Sequence, residues 1–291
     1  MQLEGKNIVV VGLGVTGRAV ARFAKSRGAS VCVADSGDAG ALAEAAAEMT
    51  ALGVKTQIGP HRTEIFAGAD LIVVSPGVSE NLAPLRTAAA GGVAVIGEIE
   101  LAGRFLETPI VAVTGTNGKS TATRLIGEML ERSGYRVFVG GNLGTPLISY
   151  VDSDLKADVA VVEISSFQLD TAQTFRPSVG VLLNISADHL DRYADLNAYG
   201  RTKASLFARQ TDTDAAVLNA ADTLVMKLTA GVQSRMLPFN ADEGASEGAW
   251  LTENAVMIRT RGHETLRIDY GQTAMIGRHN HENISAAALA A

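Results

Sequence analysis

The sequence predicts an α/β protein: a Rossmann-like N-terminal domain followed by a P-loop-type α/β ATP-binding domain. Three observations predict it. Short apolar runs alternate with helix-patterned stretches over residues 7–185, the pattern of parallel sheets covered by helices on both faces. A glycine-rich turn, Gly12-x-Gly14-x-x-Gly17, joins the first apolar run to the first helix. A second such turn, Gly115-Thr116-Asn117-Gly118-Lys119-Ser120-Thr121, follows a later run, Val111-Ala112-Val113-Thr114.

In chain order, residues 7–11 form an apolar strand, and a helix follows the first glycine turn to about Arg27, where Gly28 stops it. Residues 30–34 form a second strand that ends at Asp35, and an Ala/Glu-rich helix covers 39–52. Residues 71–74 read as a buried strand with the loop Ser75-Pro76-Gly77-Val78 at its carboxyl end, and 93–96 closes the set. The helix-like stretch 97–105, followed by Thr108-Pro109, marks the boundary between domains at 1–97 and 98–291. The second series starts at Ile110. Its first helix places Ala122, Leu125, Ile126, Met129 and Leu130 on one face, with Gly134 as its stop. Residues 136–139, 158–163 and 179–185 are further strands. Residues 212–275 hold short β-like runs, 215–218 and 255–258, between Gly/Asp/Asn turns. The end of the chain, 283–291, reads as the start of a helix with no stop signal, so the polypeptide is expected to be partial.

At 291 residues the chain exceeds one comfortable core. Hydrophobic residues make up 47% and charged residues 19%, a globular balance, and no apolar run approaches the ~20 residues that span a bilayer. The start, Met1-Gln2-Leu3-Glu4-Gly5-Lys6, lacks the shape of a signal peptide. The single cysteine, Cys32, excludes an internal disulfide, fits a reducing cytoplasm and reads as an inert core thiol. A net charge of −6 argues against a general nucleic-acid binder.

The second glycine turn has the layout of a triphosphate cradle. Backbone N–H groups and a helix N-terminus face the phosphates, Lys119 neutralises charge, and the Ser120 hydroxyl suits Mg²⁺. The general pattern wants a glycine five residues before Gly118, where Val113 stands, so this is a shorter variant. The first turn, with Asp35 at the ribose-binding distance, is a dinucleotide fingerprint when read alone and suggests an NAD-dependent dehydrogenase. Its physics is less selective, because any nucleotide diphosphate, including a UDP-sugar, needs the same tight turn and close backbone. A dehydrogenase also has no use for a triphosphate loop. A non-catalytic nucleotide-binding module is the other rival. Polar residues gather at three more strand ends: Glu163 before Ile164-Ser165-Ser166-Phe167-Gln168-Leu169, Asn184 before Asp188 and His189, and Asn142 after Gly140-Gly141.

Gly-Thr-Asn-Gly-Lys-Ser, Glu-Ile-Ser-Ser-Phe-Gln-Leu, Asn-Ile-Ser-Ala-Asp-His-Leu-Asp-Arg-Tyr and Gly277-Arg278-His279-Asn280-His281-Glu282-Asn283 resemble the Mur ligases in order and spacing. The resemblance covers nearly the whole chain. Ser-Ser-Phe-Gln-Leu and Gly-Leu-Gly-Val-Thr-Gly point to the D-glutamate-adding branch over the alanine-adding, diamino-acid-adding and folylpolyglutamate relatives. It implies a cytoplasmic, monomeric ATP-dependent ligase of peptidoglycan precursor synthesis that joins D-glutamate to UDP-N-acetylmuramoyl-L-alanine through an acyl phosphate.

Residue by residue, the resemblance implies that Lys119, with Gly115–Thr121, cradles the phosphates, and that Ser120 and Glu163 take a first Mg²⁺. His189 serves a second Mg²⁺ and the reacting groups, Asn142 orients the substrate, and Asn280 and Asn283 read the adenine. Lys203, by local pattern a solvated helix residue, matches a lysine that these enzymes carbamylate near the metals. Val15, Thr16 and Gly17 hold the UDP diphosphate, Asp35 and Ser36 lie near the uridine, and Ser75 and Gly77 flank the pocket. Gly37 stands where relatives often carry a uracil-stacking arginine. A third, C-terminal domain that completes the D-glutamate site is expected to be absent, so the chain is expected to bind substrate and nucleotide without turnover.

Overall fold

The computed structural model describes residues 1–79, 81–142, 144–273 and 275–291. It divides into two compact units. One comprises Met1–Glu107, Thr145–Leu155 and Asp170–Phe175; the other comprises Thr108–Gly144, Lys156–Leu169 and Arg176–Ala291.

The first unit alternates β1 (Asn7–Val11), α1 (Val15–Ser26), β2 (Ser30–Asp35), α2 (Ala43–Ala51), β3 (Lys55–Ile58), α3 (Thr63–Ala67), β4 (Leu71–Val74), α4 (Ala83–Ala90), β5 (Ala94–Gly97) and α5 (Glu98–Gly103). Its sheet is parallel in the order β3-β2-β1-β4-β5. Val9, Val11, Ile72, Val74, Phe66 and Leu85 form a buried cluster, each worth about 1.5–3 kcal/mol of transfer free energy. The Rossmann-like expectation is met. β3, α3 and α4 are additions to the elements expected from the sequence, and Lys-Thr-Gln-Ile is a polar edge strand. Cys32 is half-buried, and burial pushes its thiol up from the ordinary value, in keeping with an inert group.

The second unit is built from β6 (Ile110–Thr114), α6 (Lys119–Arg132), β7 (Val137–Gly141), β8 (Val159–Glu163), α8 (Ser166–Leu169), β9 (Val179–Leu182), α9 (Leu196–Ala204), β10 (Ala215–Asn219), α10 (Thr223–Leu228) and β11 (Arg235–Phe239). The short α7 (Leu147–Val151) between β7 and β8 belongs to the first unit. The sheet is parallel, in the order β11-β10-β9-β6-β8-β7. A three-stranded antiparallel sheet, β12 (Gly248–Leu251), β13 (Ala255–Arg259) and β14 (Leu266–Asp269), precedes α11 (Arg278–Ala290). The terminal helix is therefore real, and it buries Ile284, Ala286, Ala287 and Leu289 in the core of this unit. No described helix is long and apolar enough to cross a membrane.

Two buried glutamates on α5 explain why segments 145–155 and 170–175 join the first unit. Glu98 Oε1 accepts the N–H of Ile148 at 2.7 Å, at the start of α7. Glu100 accepts the N–H groups of Gln173, Thr174 and Phe175 at 2.8–2.9 Å, the Thr174 hydroxyl at 2.5 Å and Arg104 Nε at 2.8 Å.

The sheet order places the site. β6 lies between β8 and β9, so the loop after β6 opens beside the carboxyl ends of both neighbours, where open α/β sheets bind ligands.

Candidate functional site

The phosphate loop leaves β6 at Thr114 and enters α6 at Lys119. Gly118 turns with φ +86°, a left-handed conformation, and a Cβ there would lie 2.5 Å from Asn283 Oδ1. Only glycine fits both constraints. The first N–H groups of α6 have no intrahelical partner and present the positive end of a 14-residue helix. Lys119 Nζ donates to the carbonyls of Gly115 at 3.0 Å and Thr116 at 2.8 Å. Burial lowers its pKa, against the opposing charges of Glu163 and Asp188.

Lys203 reaches the same place from α9, a helix capped by Asp195, which accepts the N–H of Ala198. It is not a solvated helix residue, as local pattern would have it. Its side chain is 1% exposed, and Nζ donates to the Gly115 carbonyl at 2.8 Å. The ring of Tyr199, one turn earlier, lies 4.5 Å from Nζ, and the Tyr199 hydroxyl is hydrogen-bonded to the Thr116 side chain. Burial, helped by the charge of Lys119 and opposed by Asp188, pushes Lys203 down to about 7.

Glu163, at the end of β8, is 3% exposed. It receives Ser120 Oγ on Oε2 at 2.6 Å and Asn142 Nδ2 on Oε1 at 2.8 Å. The N–H of Asn142 also donates to the Glu163 carbonyl at 2.8 Å, which fixes Asn142 at the end of β7. Mg²⁺ in phosphoryl-transfer sites takes one or two carboxylates together with substrate phosphates and water. A carboxylate and a hydroxyl in contact at the mouth of a phosphate loop fit that donor set. Among the described residues no group of three or more His, Cys, Asp or Glu side chains gathers, so Glu163 does not form one cluster with Asp188 and His189. His189 has a left-handed backbone at φ +51°. Its ring centroid lies 4.7 Å from that of Phe167 and 6.3 Å from that of Tyr199.

Beside the loop, a cavity of 170 Å³ is lined by Asn117, Gly118, Asn184, Phe239, His279 and Asn283, among others. Asn280 is not among its lining residues, and its side-chain amide donates to the Ile276 carbonyl at 2.8 Å. His281 stacks on Tyr270 with ring centroids 3.6 Å apart. Thr121 and Ser120 line a separate open hollow with Arg124, Leu125, Glu128 and Met275.

In the first unit, Gly17 packs so tightly that a Cβ would fall 1.8 Å from the Gly12 carbonyl oxygen. Val15 is exposed and Thr16 half-buried in the first turn of α1. Asp35 ties two loops together, accepting the N–H of Leu13 on Oδ2 at 2.7 Å and that of Gly37 on Oδ1 at 2.8 Å. Ser36 and Gly77 are exposed. Among the described residues Ser75 Oγ is buried without a hydrogen-bond partner, and it lies against the glycine turn. An orphaned hydroxyl beside a backbone that admits no side chain fits a diphosphate ligand.

Three residues around these sites carry no role in the sequence reading. Asn184 and Phe167 sit inside the quoted motifs and Tyr199 lies outside them, and only the strand-end position of Asn184 signals its contact with the loop.

Known proteins place this geometry. The family model described as Mur ligase middle domain matches residues 113–291, and that described as Mur ligase MurD-like, N-terminal domain matches residues 6–97. The UDP-N-acetylmuramoylalanine–D-glutamate ligase of Desulfosudis oleivorans is 50% identical over 291 residues, which are 100% of this chain and 63% of that protein. The ligase of the same name from Geotalea daltonii is 47% identical over 287 residues, 99% of this chain and 63% of its own length. The chain thus spans less than two thirds of these relatives. Among solved structures, a UDP-N-acetylmuramate:L-alanyl-gamma-D-glutamyl-meso-diaminopimelate ligase from Neisseria meningitides aligns with a TM-score of 0.65 at 21% identity. That alignment covers 98% of this chain and 93% of the other, and at such identity it speaks for the fold alone. The middle-domain model by itself takes in more than half of the sequence, and the chain belongs to the Mur ligase family.

Proposed function

We propose that this chain carries the UDP-substrate-holding and ATP-holding parts of a cytoplasmic ligase that joins D-glutamate to UDP-N-acetylmuramoyl-L-alanine. The observation that carries this reading is the Ser120–Glu163–Asn142 contact, which brings a phosphate loop, a carboxylate and a substrate-side amide together at three neighbouring strand ends. The names of the relatives from Desulfosudis oleivorans and Geotalea daltonii supply the substrate pair.

In this reading the muramoyl-alanine carboxylate attacks the γ-phosphorus of ATP, and ADP leaves. The D-glutamate amine then attacks the acyl carbon, loses a proton and expels phosphate. Lys119 exchanges its loop carbonyls for phosphate oxygens and neutralises the transferring group. Ser120 and Glu163 hold Mg²⁺, which supplies charge neutralisation at the phosphates. Asn142 orients the acyl end, and His189 stands over the reacting groups with its ring held by Phe167. Asn283, in the cavity wall, reads the base, and Asn280 joins it once its amide leaves the Ile276 carbonyl. Lys203 is the carbamylation site: a buried amine whose pKa lies near neutrality is uncharged often enough for its nitrogen to bond to CO₂ and release a proton to water, giving a carbamate with carboxylate-like oxygens. The turn at Val15, Thr16 and Gly17, with Ser75 and Gly77, holds the UDP diphosphate, and Asp35 and Ser36 lie at its uridine side.

Calorimetry with UDP-N-acetylmuramoyl-L-alanine, ATP·Mg²⁺ and NAD in parallel tests the reading. Binding of the first two and not of NAD is the expected result. NAD binding without the UDP-substrate overturns it in favour of a dehydrogenase.

A further inference from the structure

The Asn184 side chain makes three hydrogen bonds to the backbone of the phosphate loop. Its Oδ1 accepts the N–H of Thr116 at 3.1 Å and that of Asn117 at 2.8 Å, and its Nδ2 donates to the Asn117 carbonyl at 3.0 Å. The N–H of Thr116 is shared with the Asn184 backbone carbonyl at 3.0 Å. One carboxamide therefore pairs with both the N–H and the carbonyl of Asn117. Asparagine alone offers an acceptor and a donor at that reach; aspartate keeps the acceptor, loses the donor and sets a charge against the Asn117 carbonyl.

The clamp is itself held on both sides. Asn219 Nδ2 donates to the Leu183 carbonyl at 2.9 Å, and Asn219 Oδ1 receives Asn240 Nδ2 at 3.0 Å. After Asn184, the N–H of Ile185 donates to Asp222 Oδ2 at 2.9 Å, and that of Ser186 to Thr116 Oγ1 at 3.0 Å. Asn184 thus projects from a backbone fixed at the residue before it and at the two after it.

This pairing divides the loop. The N–H groups of Thr116 and Asn117 are spent on Asn184, while those at the start of α6 have no helix partner. Phosphate recognition therefore falls to Gly118 and the first turn of α6, and the clamp decides where those groups point. We infer that Asn184 is a positioning residue for nucleotide binding: its carboxamide locks the Asn117 peptide so that the N–H groups from Gly118 onward face the phosphates. This deepens the nucleotide reading of the site and rests on it. Asn184 also lines the 170 Å³ cavity, so the same side chain borders the place assigned to the base.

The test compares ADP·Mg²⁺ with adenosine by calorimetry on the unsubstituted chain, N184A and N184D, with amide hydrogen exchange at Asn117 as a second readout. Expected are a loss of ADP affinity of about tenfold or more in N184A, a larger loss in N184D from the added charge, and in both a clearly smaller loss of adenosine affinity, since Asn184 only borders the base cavity. The Asn117 amide should exchange faster in N184A while the Val181 amide in β9 keeps its protection. ADP binding to N184A as to the unsubstituted chain overturns the positioning role alone. Equal losses for ADP and adenosine overturn it too, in favour of general disruption of the site. Failure of the unsubstituted chain to bind ADP overturns the nucleotide reading and this inference with it.

Discussion

Lys119 and Lys203 share one acceptor: both ammonium nitrogens donate to the carbonyl of Gly115, at 3.0 and 2.8 Å. One lysine comes from the phosphate loop and the other from a helix 84 positions later (203 − 119). Two like charges on one oxygen, with Lys203 buried, make the protonated form of Lys203 costly.

The sign of the resulting pH dependence follows from linkage. The folded chain releases the Lys203 proton near pH 7, whereas the unfolded chain holds it to about 10.5. Between those values the folded state binds fewer protons, so the contribution of this group to stability rises with pH and is poorest below pH 7. Melting curves from pH 6 to 9 should show the unsubstituted chain gaining on K203M as pH rises. A constant difference between the two across that range would mean that Lys203 does not change charge there.

Glu98 and Glu100, two residues apart on α5, should respond to pH in opposite senses. Burial raises Glu98 to about 7, against the N–H groups of Ile148 and Leu147. Its folded form therefore keeps a proton that the unfolded form loses near 4.5, and stability falls as pH climbs from 4.5 to 7. For Glu100 burial also pushes upward, but the hydrogen bonds from Thr174, Gln173 and Arg104 outweigh it and hold the carboxyl at about 2. Its contribution is full above 4.5 and is lost as pH falls toward 2. At pH 8, E98Q should raise the melting temperature and E100A should cost about 3–5 kcal/mol by orphaning its donors. At pH 5 the gain from E98Q should shrink. Thermal denaturation at the two pH values checks both signs.

These glutamates mark a limit of what the sequence discloses. Val9, Val11, Ile72, Val74 and the strand entering the phosphate loop are legible because parallel strands covered on both faces become continuous apolar runs. The glycine turns are legible because close backbone approach demands glycine at fixed spacing. A glutamate buried by donors 50 or 74 residues away looks locally like any surface acid of a short helix. Lys203 hides in the same way: its burial depends on Gly115, which is 88 positions distant. Asn184 was half visible, as a polar residue ending an apolar strand, but its pairing with Asn117 required β9 to lie beside β6.

The contact between Ser120 and Glu163 predicts a metal-dependent effect. Glu163 is oriented by Asn142 on one oxygen and by Ser120 on the other, so its geometry is set before any ligand arrives. E163Q keeps the shape and removes the charge. ATP affinity measured with Mg²⁺ should fall by about 10–100-fold, while affinity in EDTA should change little. Equal losses with and without Mg²⁺ would assign Glu163 to loop packing rather than to the metal.

The two glycine turns should fail separately when each receives one methyl group. In Gly118→Ala the new Cβ meets Asn283 Oδ1 at 2.5 Å in a left-handed conformation, so the phosphate loop or the Asn283 side chain must move. In Gly17→Ala the Cβ would lie 1.8 Å from the Gly12 carbonyl oxygen, so α1 must part from its own loop. The first change should weaken ATP·Mg²⁺ binding by about tenfold or more and leave UDP-N-acetylmuramoyl-L-alanine binding intact; the second should do the reverse. Because the Gly17 clash is with backbone, which yields less readily than a side chain, Gly17→Ala should also lower the melting temperature more than Gly118→Ala. Calorimetry of both variants with both ligands decides the matter. A loss of UDP-substrate binding in Gly118→Ala, with ATP binding kept, would exchange the two sites.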